Sequence, residues 1–422
     1  MSRKASLPTL GRLNAKVIQA RMAAVVGAVL LSLVAIAFTR SGELAQHLFF
    51  RLDHAHPGLA LILTPCVFAG VAFATRRWFP VARGSGIPQV MAAVEKPDEK
   101  GYGPLISLRT AAAKYVGTIA MLLVGGSVGR EGPTVQISAA IVAAIHRLFK
   151  VPITNGVIIA GGAAGIAAAF NTPLAGVAFA IEELAAAFEQ RVAVFVMAAV
   201  MISGLVSLGL DGDYIYFGMV TQSLPLRAML LVAPLAGVLG GLVGGIFARA
   251  LVSLAWSRHP AVVTLRAHPI LLAFGCGMVV ALVGVLSKGT SWGTGYETTR
   301  MLLSGDTASL TFGPFKFAAT LATAISGAPG GIFAPSLSVG AGLGQLIAQM
   351  FPRDAAGAIV LLGMIGYFAG VVRAPLTAVI IMTEMTAARS MILPLFATAL
   401  LADWVSAAIC PQKLYHALSR QF

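Results

Sequence analysis

Gly129-Arg130-Glu131-Gly132-Pro133 returns 202 residues later as Gly331-Ile332-Phe333-Ala334-Pro335, with glycine and proline in register at the two ends. At the same offset Pro173-Leu174 falls on Pro375-Leu376, and Glu182 falls on Glu384. Two matched patches at one constant spacing are hard to obtain by chance, even in a chain rich in glycine. They read as two related halves, the common plan of membrane transporters. The halves cover 22–210 and 226–415. A basic segment 1–21 precedes them, a polar connector 211–225 with Asp211, Asp213 and Gln222 joins them, and a short tail 416–422 follows.

The surroundings of both motifs are apolar. Hydrophobic residues make up 58% of the chain and charged residues 11%, under about half the charged share of a soluble protein, so the main solvent is lipid. Windows at 22–38, 59–75, 270–286 and 393–410 approach the ~20 apolar residues that carry a helix across hydrocarbon. Most other runs are cut by glycine or proline, which predicts broken and tilted helices packed inside protein or lining a cavity. The polar segment 83–109, centred on Lys96 to Lys100, reads as an aqueous loop inside the first half.

The net charge of +14 is spread between apolar windows and forms no basic domain, so nucleic-acid binding is not expected. Arg3, Lys4, Arg12, Lys16 and Arg21 crowd the N-terminus without an acid, which places that end in the cytoplasm. A cleaved signal peptide fits less well, because no small-residue cleavage site follows the first apolar run. Cys66, Cys276 and Cys410 are far apart, and the histidines are scattered. No metal, cofactor or redox centre is expected, and no nucleophile-and-base set suggests an enzyme.

Three segments pair small residues with a following proline and a helical run: Gly84-Ser85-Gly86-Ile87-Pro88, Gly129 to Pro133 and Gly331 to Pro335. Proline suits the first turn of a helix, so each reads as a helix start. Inside a membrane such ends offer unpaired N–H groups and a positive dipole end to an anion. Partial charges and the Ser85 hydroxyl allow binding and release, where a full charge would hold too tightly.

Among the membrane acids Glu131, Glu182, Glu183, Glu384 and Asp403, Glu131 sits at a helix start where its carboxylate can occupy the anion's own place. Burial disfavours its charged form and the helix ends favour it, so the side chain can serve as both gate and proton carrier. Glu182 and Glu183 point about 100° apart on a helix. Glu182 has a counterpart in the other half and reads as structural, whereas Glu183 is the candidate second proton station. Lys114 lies in an apolar run and reads as an electrostatic bias near Glu131. Tyr415 can offer a phenolic O–H to an anion or act as an interfacial anchor.

Together, Gly84-Ser85-Gly86-Ile87-Pro88, Gly-Arg-Glu-Gly-Pro-Thr-Val-Gln from Gly129, Gly-Ala-Pro-Gly-Gly-Ile-Phe-Ala-Pro ending at Pro335, and Tyr415 resemble the CLC chloride channel and transporter family, in its bacterial form, over nearly the whole chain. The resemblance implies an all-α polytopic fold of two inverted repeats. It also implies a homodimer in a bacterial inner membrane, with one anion path per subunit. Ser85, Gly86, Ile332, Phe333 and Tyr415 would hold the anion, with Gly129, Arg130, Gly132 and Lys114 in support. Glu131 would be the external gate and Glu183 the internal proton-transfer group. Members with both glutamates are typically proton-coupled chloride antiporters, and a passive chloride channel is the alternative. Gln89 departs from the acid often found after Pro88, and no nucleotide-binding regulatory domains are expected after 416–422. Ser85 favours chloride over nitrate, and Ser85 with Tyr415 argues against fluoride.

Overall fold

A computed structural model of the chain describes residues 10–95, 103–184, 190–212, 214–222 and 224–422. Among them every regular element is helical, the arrangement that satisfies backbone groups where water is absent. Six helices are long and apolar enough to cross a membrane: Lys16–Ala55, Ala60–Trp78, Leu226–Trp256, Pro269–Leu286, Arg353–Val372 and Arg389–Ile409. The four apolar windows fall within helices of this set, to within one residue at either end. The shorter apolar helices, including Asn155–Phe170 and Phe333–Ala348, are the broken pieces that the glycine and proline pattern implied.

Two helices form the centre of the molecule. Asn155–Phe170 is buried from Gly156 onwards and Ala356–Val372 from Gly357 onwards. A helix that is apolar all round belongs inside protein. They are repeat partners, and each ends on a left-handed residue, Asn171 and Arg373, spaced by the same 202 positions. Small residues let their neighbours approach backbone to backbone. A Cβ on Gly240 would run into Gly366 and Tyr367, and one on Gly344 would run into Val360.

The relation between the halves is visible in paired contacts. Gly129 N–H donates to Gly331 O at 2.7 Å and Gly331 N–H donates to Gly129 O at 2.8 Å, an antiparallel bridge between equivalent residues. Glu182 accepts from Leu376 N and Thr377 N at 3.1 and 2.6 Å, while Glu384 accepts from Leu174 N and Ala175 N at 3.1 and 2.7 Å. Each carboxylate caps the start of the other half's helix, Pro375–Thr386 or Pro173–Phe179. This exchange of identical contacts is what inverted repeats require, and it gives Glu182 and Glu384 their structural role.

The segment 83–109 is not simply an aqueous loop. It contains the helix Ile87–Glu95, buried from Ile87 to Val94, because its centre of charge follows the helix rather than lying on it. The charged stretch at 96–102 lies outside the described residues. Between the halves, Tyr216, Phe217, Val220 and Leu224 are buried, and Phe217 N and Val220 N donate to Met385 O and Thr386 O. The connector therefore packs against the second half instead of crossing water. Cys66 is exposed, whereas Cys276 and Cys410 are buried.

Candidate anion-binding site

The three glycine-rich turns meet. Gly330 N donates to Gly84 O at 3.1 Å, joining the first turn to the third, and the Gly129–Gly331 bridge joins the second to the third. Their closeness explains the glycines. A Cβ on Gly132 would strike Ser85 Oγ, and one on Gly86 would lie 2.8 Å from Gly132 O. Gly86 has φ +106°, a conformation that side chains resist. The helices Ile87–Glu95, Glu131–Leu148 and Phe333–Ala348 thus begin around one buried spot.

Hydroxyls at this spot have no protein partner. Ser85 Oγ and Tyr415 Oη are buried and make no hydrogen bond among the described residues. Tyr415 is 1% exposed, so it is not an interfacial anchor. Its hydroxyl lies close to that of Ser85, and Glu131 and Glu183 are both within its electrostatic reach. Phe333 walls the same spot: its ring is 6.0 Å from Tyr415, 4.9 Å from Phe368 and 6.1 Å from Phe179. A buried polar atom without a partner is costly in a native fold unless a ligand or water completes it.

Glu131 is 1% exposed, and its carboxylate faces the backbone N–H groups of Arg130, Glu131 and Ala334. These groups belong to two different helix starts, so backbone donors from both halves converge on one carboxylate. Its Oε2 is left without a hydrogen bond. Arg130 turns the other way. It donates to Thr39 O and pairs with Glu43 at 3.2 Å, on the wall of a cavity of about 460 Å³ that includes Gln46, Tyr216, Thr294 and Tyr296.

Lys114 is fully buried and has no acid partner among the described residues. It donates to Arg83 O at 3.1 Å and to Gly84 O at 2.7 Å, pinning the turn that carries Ser85. Gln89 donates to the same Arg83 O at 2.6 Å, so its amide supports the turn as well. Glu183 lies on a turn of π-helix, Ala180–Leu184, an irregularity found often at functional positions. Both its carboxylate oxygens are buried without a hydrogen bond. Asp403 pairs with Arg373 at 2.9 Å.

A fourth turn escaped the sequence reading. Gly293-Thr294-Gly295-Tyr296 repeats Gly84-Ser85-Gly86-Ile87, with both its glycines at positive φ like Gly84 and Gly86. Buried Lys316 donates to Ser291 O and Gly293 O, as Lys114 does in the first half. Lys316 stands 202 residues after Lys114 and was detectable, but the turn is displaced by seven further positions and lacks the proline. Among the described residues no three His, Cys, Asp or Glu side chains gather as a metal site would require.

The family model described as voltage gated chloride channel matches residues 67–407. The chain belongs to that family. Among solved structures it is similar to a slow cyanobacterial Cl−/H+ antiporter, at TM-score 0.79 and 24% identity over 95% of this chain and 97% of that one. It is equally similar to a CLC-type fluoride/proton antiporter, at 0.79 and 23% identity over 97% and 99%. A eukaryotic CLC transporter matches at 0.76 and 22% identity, over 96% of this chain and 74% of that one. These are likenesses of fold, and they cover both halves.

Proposed function

We propose that this chain exchanges chloride for protons across a bacterial inner membrane, with the N-terminus in the cytoplasm and Glu131 as the shared external gate. The observation that carries the reading is a buried carboxylate set against N–H groups from two helix starts, beside two hydroxyls that no protein group satisfies. A chloride held by Ser85, Tyr415 and the backbone around Gly86, Ile332 and Phe333 competes with Glu131 for that seat. Protonation neutralises Glu131, releases it from the N–H groups and opens the path, so anion and proton move in opposite directions. Glu183, in electrostatic reach of the same tyrosine, exchanges protons with the cytoplasm.

Lys114, Arg130, Gly129 and Gly132 hold this geometry without covalent chemistry. All the named groups come from one chain, which supports one path per subunit in a homodimer. Two titratable glutamates flanking the anion spot favour an antiporter over a passive channel, while Ser85 and Tyr415 favour chloride over fluoride as cargo. The test is Glu131→Ala in proteoliposomes. Chloride flux should continue without coupled proton movement, and proton pumping that survives removes Glu131 from the mechanism.

A further inference from the structure

Among the described residues Glu183 has no hydrogen bond, yet Lys413 reaches it. Lys413 Nζ lies 3.8 Å from Glu183 Oε1, with the Glu183 side chain fully buried and the Lys413 side chain 36% exposed. The lysine side chain is therefore partly exposed while its ammonium reaches the buried carboxylate. It also has a fixed place in the backbone. Lys413 O accepts from Ala417 N at 2.9 Å and starts the helix Leu414–Ser419, whose second residue is Tyr415.

We propose that Lys413 is a positioning residue for proton transfer: its ammonium orients and balances Glu183 at the aqueous mouth, and ties that carboxylate to the helix that places Tyr415. The inference rests on the reading of Glu183 as the internal proton station. When Glu183 is ionised, the ammonium offsets a charge that no hydrogen bond supports. When Glu183 takes a proton, the attraction ends and the exposed lysine turns to water. The start of the Tyr415 helix is then tied less firmly.

Other charged groups around the pair do not replace it. Glu182, next along the chain, faces Glu183 with like charge but is engaged at Leu376 and Thr377. His416 faces Lys413, Glu95 and Arg420 rather than the carboxylate. Tyr415 faces Glu183 from the anion side.

The experiment compares wild type, Lys413→Gln, Lys413→Arg and Glu183→Gln in proteoliposomes, recording proton and chloride flux together across a range of pH on the Lys413 side. The proton-to-chloride ratio of Lys413→Gln should fall several-fold, on the order of tenfold for a lost charge partner. The pH midpoint of its proton flux should move alkaline by about one unit, since the unbalanced carboxylate keeps its proton longer. Lys413→Arg should restore both. A Lys413→Gln protein with the wild-type ratio and midpoint overturns the proposal, as does loss of both fluxes in parallel in Lys413→Gln and Lys413→Arg alike. Coupled protons in Glu183→Gln would instead overturn the underlying assignment of Glu183. Uncoupling in Glu183→Gln beside an unchanged Lys413→Gln would sink only the lysine's role.

Discussion

Removing the two orphan hydroxyls should leave the protein fold intact and weaken its hold on chloride. Among the described residues Ser85 Oγ and Tyr415 Oη have no hydrogen-bond partner beyond one another, so Ser85→Ala and Tyr415→Phe leave no third group unsatisfied. Ordinary buried hydroxyls behave differently, because their deletion strands a partner at a cost of about 1–3 kcal/mol. If each hydroxyl donates to chloride, its loss costs about 1.4 kcal/mol of binding, or roughly tenfold in Kd. The consequence can be read from stability. At chloride about 100 times the wild-type Kd, the anion stabilises the fold by ~2.7 kcal/mol; a tenfold weaker variant gains only ~1.4 kcal/mol at the same concentration. Thermal unfolding of the purified protein, titrated with chloride, should therefore show equal stability for wild type and variants without chloride and a gap that opens as chloride rises. A variant destabilised equally at every chloride concentration would show that the hydroxyl serves the protein and refute its place in the anion site.

The mirrored caps predict mirrored losses. Glu182→Ala and Glu384→Ala each remove a carboxylate from two helix-start N–H groups, so each should cost about 1–2 kcal/mol in chemical unfolding; a large effect from one alone would break their equivalence. Gly132→Ala drives a methyl into Ser85 and should cost about 1–3 kcal/mol while lowering chloride affinity in a binding titration. Gly70→Ala meets nothing within 4 Å and should stabilise its helix by about 0.5–1 kcal/mol in the same unfolding assay.

The repeat, the lipid environment and the three helix starts were legible because each is written locally, in periodicity, composition and the glycine–proline spacing. The buried spot itself was legible only by inference, since convergence depends on how the halves invert against one another. Four features lay beyond reach for identifiable reasons. The burial of the helix Ile87–Glu95 was obscured by the charges that follow it. The turn at Gly293 fell out of the common offset through an insertion of seven positions. Lys114 lacks any sequence neighbour that names its partners, since the carbonyls of Arg83 and Gly84 are backbone groups 31 and 30 residues away. The pairing of Lys413 with Glu183 joins residues 230 positions apart, and no local pattern announces it.

Chloride and proton movement measured together on the reconstituted wild-type protein tests the account most directly. With a chloride gradient as the sole driving force and the membrane potential clamped at zero, protons should move against their own gradient in the direction opposite to chloride. Chloride running down its gradient with protons left at equilibrium would mean that the carboxylate in the anion's seat gates the path without carrying anything through it.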